Sequence, residues 1–176
     1  MSRVLSPHHH LRHHHSYHLP CRQPKYPSFD VPNANLNALY FDSPDNFNGD
    51  FTLLANFTNP NTKIKLHFDY LHVQLYFVDR LIATQALQPF SQRPGEGRLE
   101  MIRLISKLVY LPPNPAFQLQ RQVQSNRIEY NIKATFRVTA KLASARFTYW
   151  LHSSCNLQMT SPPKGLLLTR DCNTKR

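Results

Sequence analysis

The chain has 176 residues, 41% of them hydrophobic, and its 21 lysines and arginines outweigh 10 acids for a formal net charge of +11. That length suits one domain plus a tail, and that apolar share is enough to build a core. No window of about 18 apolar residues occurs, which excludes a membrane-spanning helix in the chain as it stands.

Residues 1–25 are low in complexity and carry His8, His9, His10, His13, His14, His15 and His18. Too few apolar side chains are present to offset the entropy of ordering, so a disordered tail is expected here and a domain over residues 26–174. Histidines fill the place where a secretory signal would have its apolar middle. Imidazoles bind zinc, copper and nickel, but a specific site needs fixed geometry and an outer layer of supporting contacts. The tail is therefore read as an adventitious binder, and no metal or other cofactor is expected. Cys21, at its end, is read as idle, with lipidation as the alternative. The tail and the residues up to Ser28 hold four bases and no acid; the other seventeen bases and all ten acids lie beyond. Such a surface favours anionic partners in general, among them phospholipid headgroups, nucleic acid and acidic polysaccharide, without choosing between them.

Residues 26–32 are extended, because Tyr26 and Val31 each precede a proline. A first strand is expected over residues 35–41 and a polar turn over 43–49. Residues 51–58 alternate, with Phe51, Leu53, Ala55 and Phe57 on one face. Asn59-Pro60-Asn61 reads as a tight turn, and residues 64–78 as the returning strand, so that 51–78 form a long hairpin. The apolar phase switches at Tyr70/Leu71, which predicts a β-bulge or a bend between two sheets. A short strand over 81–87 and a proline- and glycine-containing loop over 89–97 follow, then an apolar strand of mixed period over 99–111. Asn114-Pro115 predicts a helix start with Asn114 as cap, and Ala116, Leu119 and Val123 would face the core.

The clearest pattern is Ile128–Leu142. Its eight even positions are all apolar and its seven odd positions all polar. A strand points successive side chains to opposite faces, so this is one long strand with a buried and a wet side. The clean alternation predicts an antiparallel sheet, since parallel sheets are usually buried on both sides. Residues 146–160 alternate again, 161–165 form a turn, and 166–172 are the last strand. Several strands joined mostly by turns predict an all-β antiparallel β-sandwich with one short helix.

Cys155 and Cys172 flank the last turn almost symmetrically, which puts them within reach of a disulfide. Two buried thiols in a reducing compartment are the alternative. Asn56-Phe57-Thr58 is an acceptor triplet for N-glycosylation, on the polar phase of its strand. Trp150 reads as an aromatic platform for sugar or a membrane interface, or as cover over a sheet edge. With Lys133, Arg137 and Lys141 on the polar phase of the long strand, it defines a possible binding surface. His67, His72 and His152 are isolated, and Asp42, Asp45 and Asp50 are turn-forming acids with weak calcium binding as the alternative. No phosphate loop, HExxH or nucleophile elbow occurs, so no catalytic residues are expected.

From Pro24 to about Thr174 the chain resembles plant late embryogenesis abundant proteins of the second subgroup, and within it the harpin-induced-like branch. The resemblance is carried by Tyr26-Pro27-Ser28-Phe29-Asp30-Val31, Asn59-Pro60-Asn61, Tyr70…Tyr76-Phe77, Leu81-Ile82-Ala83, Gln88-Pro89-Phe90, Tyr149-Trp150, Cys155, Pro162-Pro163-Lys164-Gly165 and Cys172. It implies a fibronectin-III/immunoglobulin-like antiparallel β-sandwich without enzymatic activity. It also implies a plasma-membrane protein of pathogen defence and stress, with the sandwich outside the cytosol, protein partners in immune signalling and no nucleic-acid partner. Members usually carry a basic tail and a membrane-spanning helix before the sandwich; here a histidine-rich tail runs into Pro24, as in a shortened product or a soluble variant. Two other readings are a soluble protein protective in desiccation and a basic module for wall polysaccharide or lipid.

Overall fold

A computed structural model describes residues 23–176. Most of the histidine tail, with Cys21, lies outside the described residues. Nine strands and one helix follow in the order β1 Ser28–Ser43, β2 Asn46–Thr58, β3 Lys65–Phe77, β4 Arg80–Ala86, β5 Phe90–Gln92, β6 Gly97–Tyr110, α1 Pro113–Gln124, β7 Ile128–Leu142, β8 Ala145–Met159 and β9 Leu167–Lys175. They form an antiparallel β-sandwich. Its smaller sheet has the order β1-β2-β6; the larger has β4-β3-β7-β8-β9, with β5 pairing β3.

The two sheets face each other through the side chains that the alternation singled out. Along β7, Ile128, Tyr130, Ile132, Ala134, Phe136, Val138 and Ala140 are all buried. Opposite them, Phe51, Leu53, Ala55 and Phe57 of β2 are also buried. Phe57 stands at the centre: its ring lies 5.3–5.8 Å from those of Phe29, Phe68, Phe90 and Phe136, each contact edge-on. Edge-to-face packing matches the positive rim of one ring to the negative face of the next. One residue thus ties β1, β3, β5 and β7 to β2.

Three sequence expectations need correcting. First, β2 and β3 are not a hairpin. Both edges of β2 are taken, by β1 and by β6, while β3 pairs β4, β5 and β7 in the other sheet. Period-two alternation tells which face is buried but not which strand lies alongside. Asn59-Pro60-Asn61 is therefore a crossover between sheets, held by side chains. Asn59 is buried; its amide donates to the Ile64 carbonyl at 2.9 Å and the Arg93 carbonyl at 3.0 Å, and its Oδ1 accepts from Asn61. Asn61 in turn binds both backbone groups of Lys25 at 2.8 Å, so Lys25, assigned to the tail from sequence, is docked on the sandwich.

Second, β1 begins at Ser28, well before residue 35. Pro32 is accommodated because the β1–β2 register shifts between Asp30 and Asn33, where proline's missing N–H costs no ladder bond. The turn between β1 and β2 shrinks to Pro44-Asp45 accordingly. Third, α1 starts at Pro113 with Pro112 as its cap and no side-chain cap bond, so Asn114 lies inside the first turn. Two prolines pre-set the backbone angle and lack the N–H groups a cap would satisfy. Ala116 and Leu119 are buried as expected, with Val123 partly so.

The phase switch of β3 is a bulge: register with β7 shifts between Phe68 and Tyr70, leaving Asp69 as the extra residue. The last turn contains Gly165 at φ +52°, whose carbonyl accepts a hydrogen bond from Leu36 N–H at 2.8 Å. A Cβ at Gly165 would sit 1.9 Å from the Leu36 carbonyl oxygen. Only glycine fits both that backbone angle and that approach, which joins the last turn to β1.

Candidate functional site

The wet side of β7 is the middle of the larger sheet's outer face, and strand register arranges its neighbours in cross-strand rows. Tyr70, Arg137 and Trp150 form one row across β3, β7 and β8. Tyr70 packs edge-on to the indole at 5.3 Å, and the Arg137 guanidinium lies 5.8 Å from its centroid. Trp150 is 45% exposed, so it belongs to this outer face and does not cover a sheet edge. The indole is thereby partly open to solvent, with Tyr70 and Arg137 packed against it.

The four residues singled out from sequence, Trp150, Lys133, Arg137 and Lys141, all lie on this face, but their electrostatic states differ. Arg137 is engaged: its Nε donates to Asp69 Oδ1 at 2.8 Å. That hydrogen bond, opposed by partial burial, holds the Asp69 carboxyl below its ordinary range, and raises the Arg137 pKa in turn. The Lys133 ammonium sits 4.4 Å over the ring of Tyr76. Lys141 is different. Across the ladder it faces Lys65 on β3 and Arg146 on β8. None of the three has a carboxylate within ion-pair distance among the described residues, and residues 1–22 contain no acid.

Lys65 and Arg146 were missed from sequence. Arg146 was recoverable, since a tight turn at Ala143-Ser144 puts it opposite Lys141. Lys65 was not, because it required knowing that β3 pairs β7 and not β2. Between the cation row and the aromatic row lies a hydroxyl row. In it Thr139 and Thr148 share a hydrogen bond of 3.0 Å, and His67 Nδ1 contacts the Ser91 hydroxyl at 2.8 Å.

Cys155 and Cys172 stand directly opposite each other on β8 and β9 and are joined by a disulfide, with Cα atoms 4.0 Å apart. Cys155 is fully buried. This bond has mechanical importance because β9 buries no side chain completely. Besides its ladder with β8, that strand is held by Arg170, whose guanidinium binds the Asp30 carboxylate of β1 at 2.9 and 3.1 Å.

Asn56 lies on the outer face of the smaller sheet, half-buried between Asp30 of β1 and Leu99 of β6. Asp42, Asp45 and Asp50 do not converge. Asp50 is bound by Arg103 at 2.6 and 3.1 Å, which lowers its pKa, while Asn48 and Ser43 donate to Asp42 and Asp45 separately. His72 contacts the Thr84 hydroxyl at 2.7 Å, and His152 sits on the far side of Thr135 in the same row. Among the described residues no three His, Cys, Asp or Glu side chains gather into a metal site, and no described helix is long and apolar enough to cross a membrane. A cleft of about 610 Å³ opens where α1 meets the far ends of β7, β8 and β9. It contains Glu129 and Asp171 but no nucleophile–base pair.

A family model described as late embryogenesis abundant protein matches residues 55–155, from the second half of β2 to the first disulfide cysteine. No curated protein matches the chain. Solved structures similar to it include the following two. An Archaeoglobus fulgidus protein has 8% identity and a TM-score of 0.33, over 88% of this chain and 98% of its own. An Arabidopsis thaliana protein solved in solution has 14% identity and a TM-score of 0.34, over 75% of this chain and 84% of its own.

Proposed function

This chain belongs to the late embryogenesis abundant protein family, and from that premise we propose that it is a non-enzymatic defence and stress-response protein of the harpin-induced-like branch. In this reading the sandwich is displayed at the plasma membrane, on the side away from the cytosol. The observation that carries it is the Cys155–Cys172 disulfide. Disulfides persist in oxidising spaces and are rare where cytosolic thiols reduce them. Here the bond fastens an edge strand that has little apolar burial of its own. The Asn56 triplet supports the same placement, since its half-buried side chain lies on an outer face of the sandwich.

The test uses the protein from its own tissue. Thiol alkylation under non-reducing conditions should leave Cys155 and Cys172 unlabelled, and a glycosidase should raise gel mobility through Asn56. Two reactive thiols and no mobility change would remove the exterior placement and favour a cytosolic protective protein instead.

A further inference from the structure

We propose that the row Lys65–Lys141–Arg146, together with the Trp150 platform, is a binding strip for an acidic polysaccharide of the polyuronate class. Like charges placed directly opposite each other across a ladder repel. Adjacent strands are only about 4.8 Å apart, so three cations in a row without a carboxylate are a cost the fold carries unless an anion sits over them.

The surroundings show that this is a local feature. Six of the chain's acids are ion-paired to arginines outside this row: Asp69 to Arg137 beside the indole, and Asp30, Asp50, Asp79, Glu96 and Glu100 farther away. On the outer face of the larger sheet, the remaining acids are Glu129 and Asp171. Glu129 lies twelve residues along β7 from Lys141, roughly 40 Å at strand rise, and Asp171 faces Asn156 near that same far end. The face is thus cationic at one end and acidic at the other.

The chemistry between the two rows chooses among anions. A pyranose ring has a face of C–H groups that stacks on the negative face of an indole. Trp150 offers such a face, two rows away from Arg146 on the same strand. The hydroxyls of Thr139 and Thr148 lie between, positioned for sugar hydroxyls. A chain of sugar rings lying along β8 would stack on Trp150, hydrogen-bond across the threonines and bring its carboxylates to the cation row. A phosphodiester chain also carries one charge per unit, so the choice rests on the threonine hydroxyls and the indole, which match the hydroxyls and the C–H face of a pyranose ring. A bilayer surface fits worse, because these three rows present no aliphatic side chain to insert. The strip is flat and open, which suits a polymer laid across it.

The experiment is performed on the full chain in solution, so its outcome is independent of where the protein resides. Polygalacturonate is titrated in while emission from Trp150, the sole tryptophan, is followed alongside calorimetry. A saturable emission change is expected, with affinity falling about tenfold between 50 and 200 mM salt as bound counterions are displaced. The double variant Lys141→Gln/Arg146→Gln should bind at least tenfold more weakly. Lys107→Gln/Lys164→Gln, which removes the same charge from the smaller sheet and the last turn, should change binding less than twofold. All four side chains are exposed, and matching thermal midpoints confirm that each variant is folded. Equal weakening by the two double variants overturns the proposal, as does unchanged Trp150 emission. Equal binding of fully methyl-esterified polymer also overturns it, and so does binding of phosphatidylserine vesicles or oligouridylate with none of polygalacturonate.

Discussion

The two sheets share one core and expose opposite chemistries. The larger sheet turns outward an ordered grid of bases, hydroxyls and aromatic rings. The smaller turns outward Leu99, Met101 and Ile105 of β6, which are 60, 68 and 50% exposed. They are interrupted only by Arg103, itself bound to Asp50. The net charge of +11 is therefore not a uniform coat. Both arginines of the smaller sheet, Arg98 and Arg103, are matched by acids, whereas Lys65, Lys141 and Arg146 on the outer face of the larger sheet are not. Asn56 adjoins Leu99, so a glycan there would lie over the apolar strip and leave the cationic face clear.

The largest expected effect comes from removing what the faces have in common. Phe57→Ala empties a fully buried site between the sheets and should cost about 3–5 kcal/mol of unfolding free energy. Chemical denaturation would show it as a lower midpoint at unchanged slope. Both outer faces should suffer together, so Trp150 emission and a probe on the smaller sheet should report one transition; two separate transitions would mean that the sheets are independently stable.

A smaller effect should distinguish them. Reducing the Cys155–Cys172 bond, or replacing both cysteines by alanine, opens a loop with a sequence separation of 17. Chain entropy predicts a loss of about 3 kcal/mol. Because β9 lies at the edge of the larger sheet, hydrogen exchange should rise first in β9 and the facing part of β8. Protection across β2 and β6 should change least. Uniform loss of protection would show instead that the bond stabilises the sandwich as a whole.

How far these features can be read from sequence depends on what each pattern encodes. β7 was legible to the residue, since one face is buried against β2 and the other is wet along its whole length. The cysteines were legible because a hairpin sets register by counting from its turn. The β2–β3 pairing was not, since alternation is blind to neighbours and a buried Asn59 makes a crossover look like a turn. The same blindness hid one member of the cation row. Lys141 stood out as a polar residue on the central strand and the tight turn after it sets Arg146 opposite, but Lys65 comes from a strand whose neighbour only the folded sheet specifies. Asp69 was hidden for a related reason: the bulge could be read as a phase change, but not the arginine that it would meet.

That Asp69–Arg137 pair supplies a gentler test. The depressed Asp69 pKa means that the folded state prefers the carboxylate. Its contribution to stability is fully present above the ordinary value of 3.8 and is lost as pH falls through the lower folded value. Asp69→Asn should remove that portion of the acid-limb dependence, visible when urea midpoints are compared between pH 5 and pH 2. The pair is partly exposed, so the change should be well below that of the disulfide. The same substitution frees Arg137 beside Trp150 and should tighten polygalacturonate binding roughly twofold at low salt, an advantage that screening removes at high salt.

The smallest effect on stability is expected on the other sheet. Met101→Lys replaces an exposed side chain on an edge strand that touches no core residue in its outward direction, so the unfolding free energy should stay within about 0.5 kcal/mol. What should change is association. A long edge strand with exposed apolar side chains is a template for pairing with another chain, and a lysine there is the usual guard. Sedimentation of unglycosylated protein at rising concentration should show self-association that Met101→Lys suppresses, while Lys141→Gln leaves it intact. If the lysine on the smaller sheet makes no difference and the change on the larger one does, then copies meet through the cationic face, and the division of labour between the two faces is wrong.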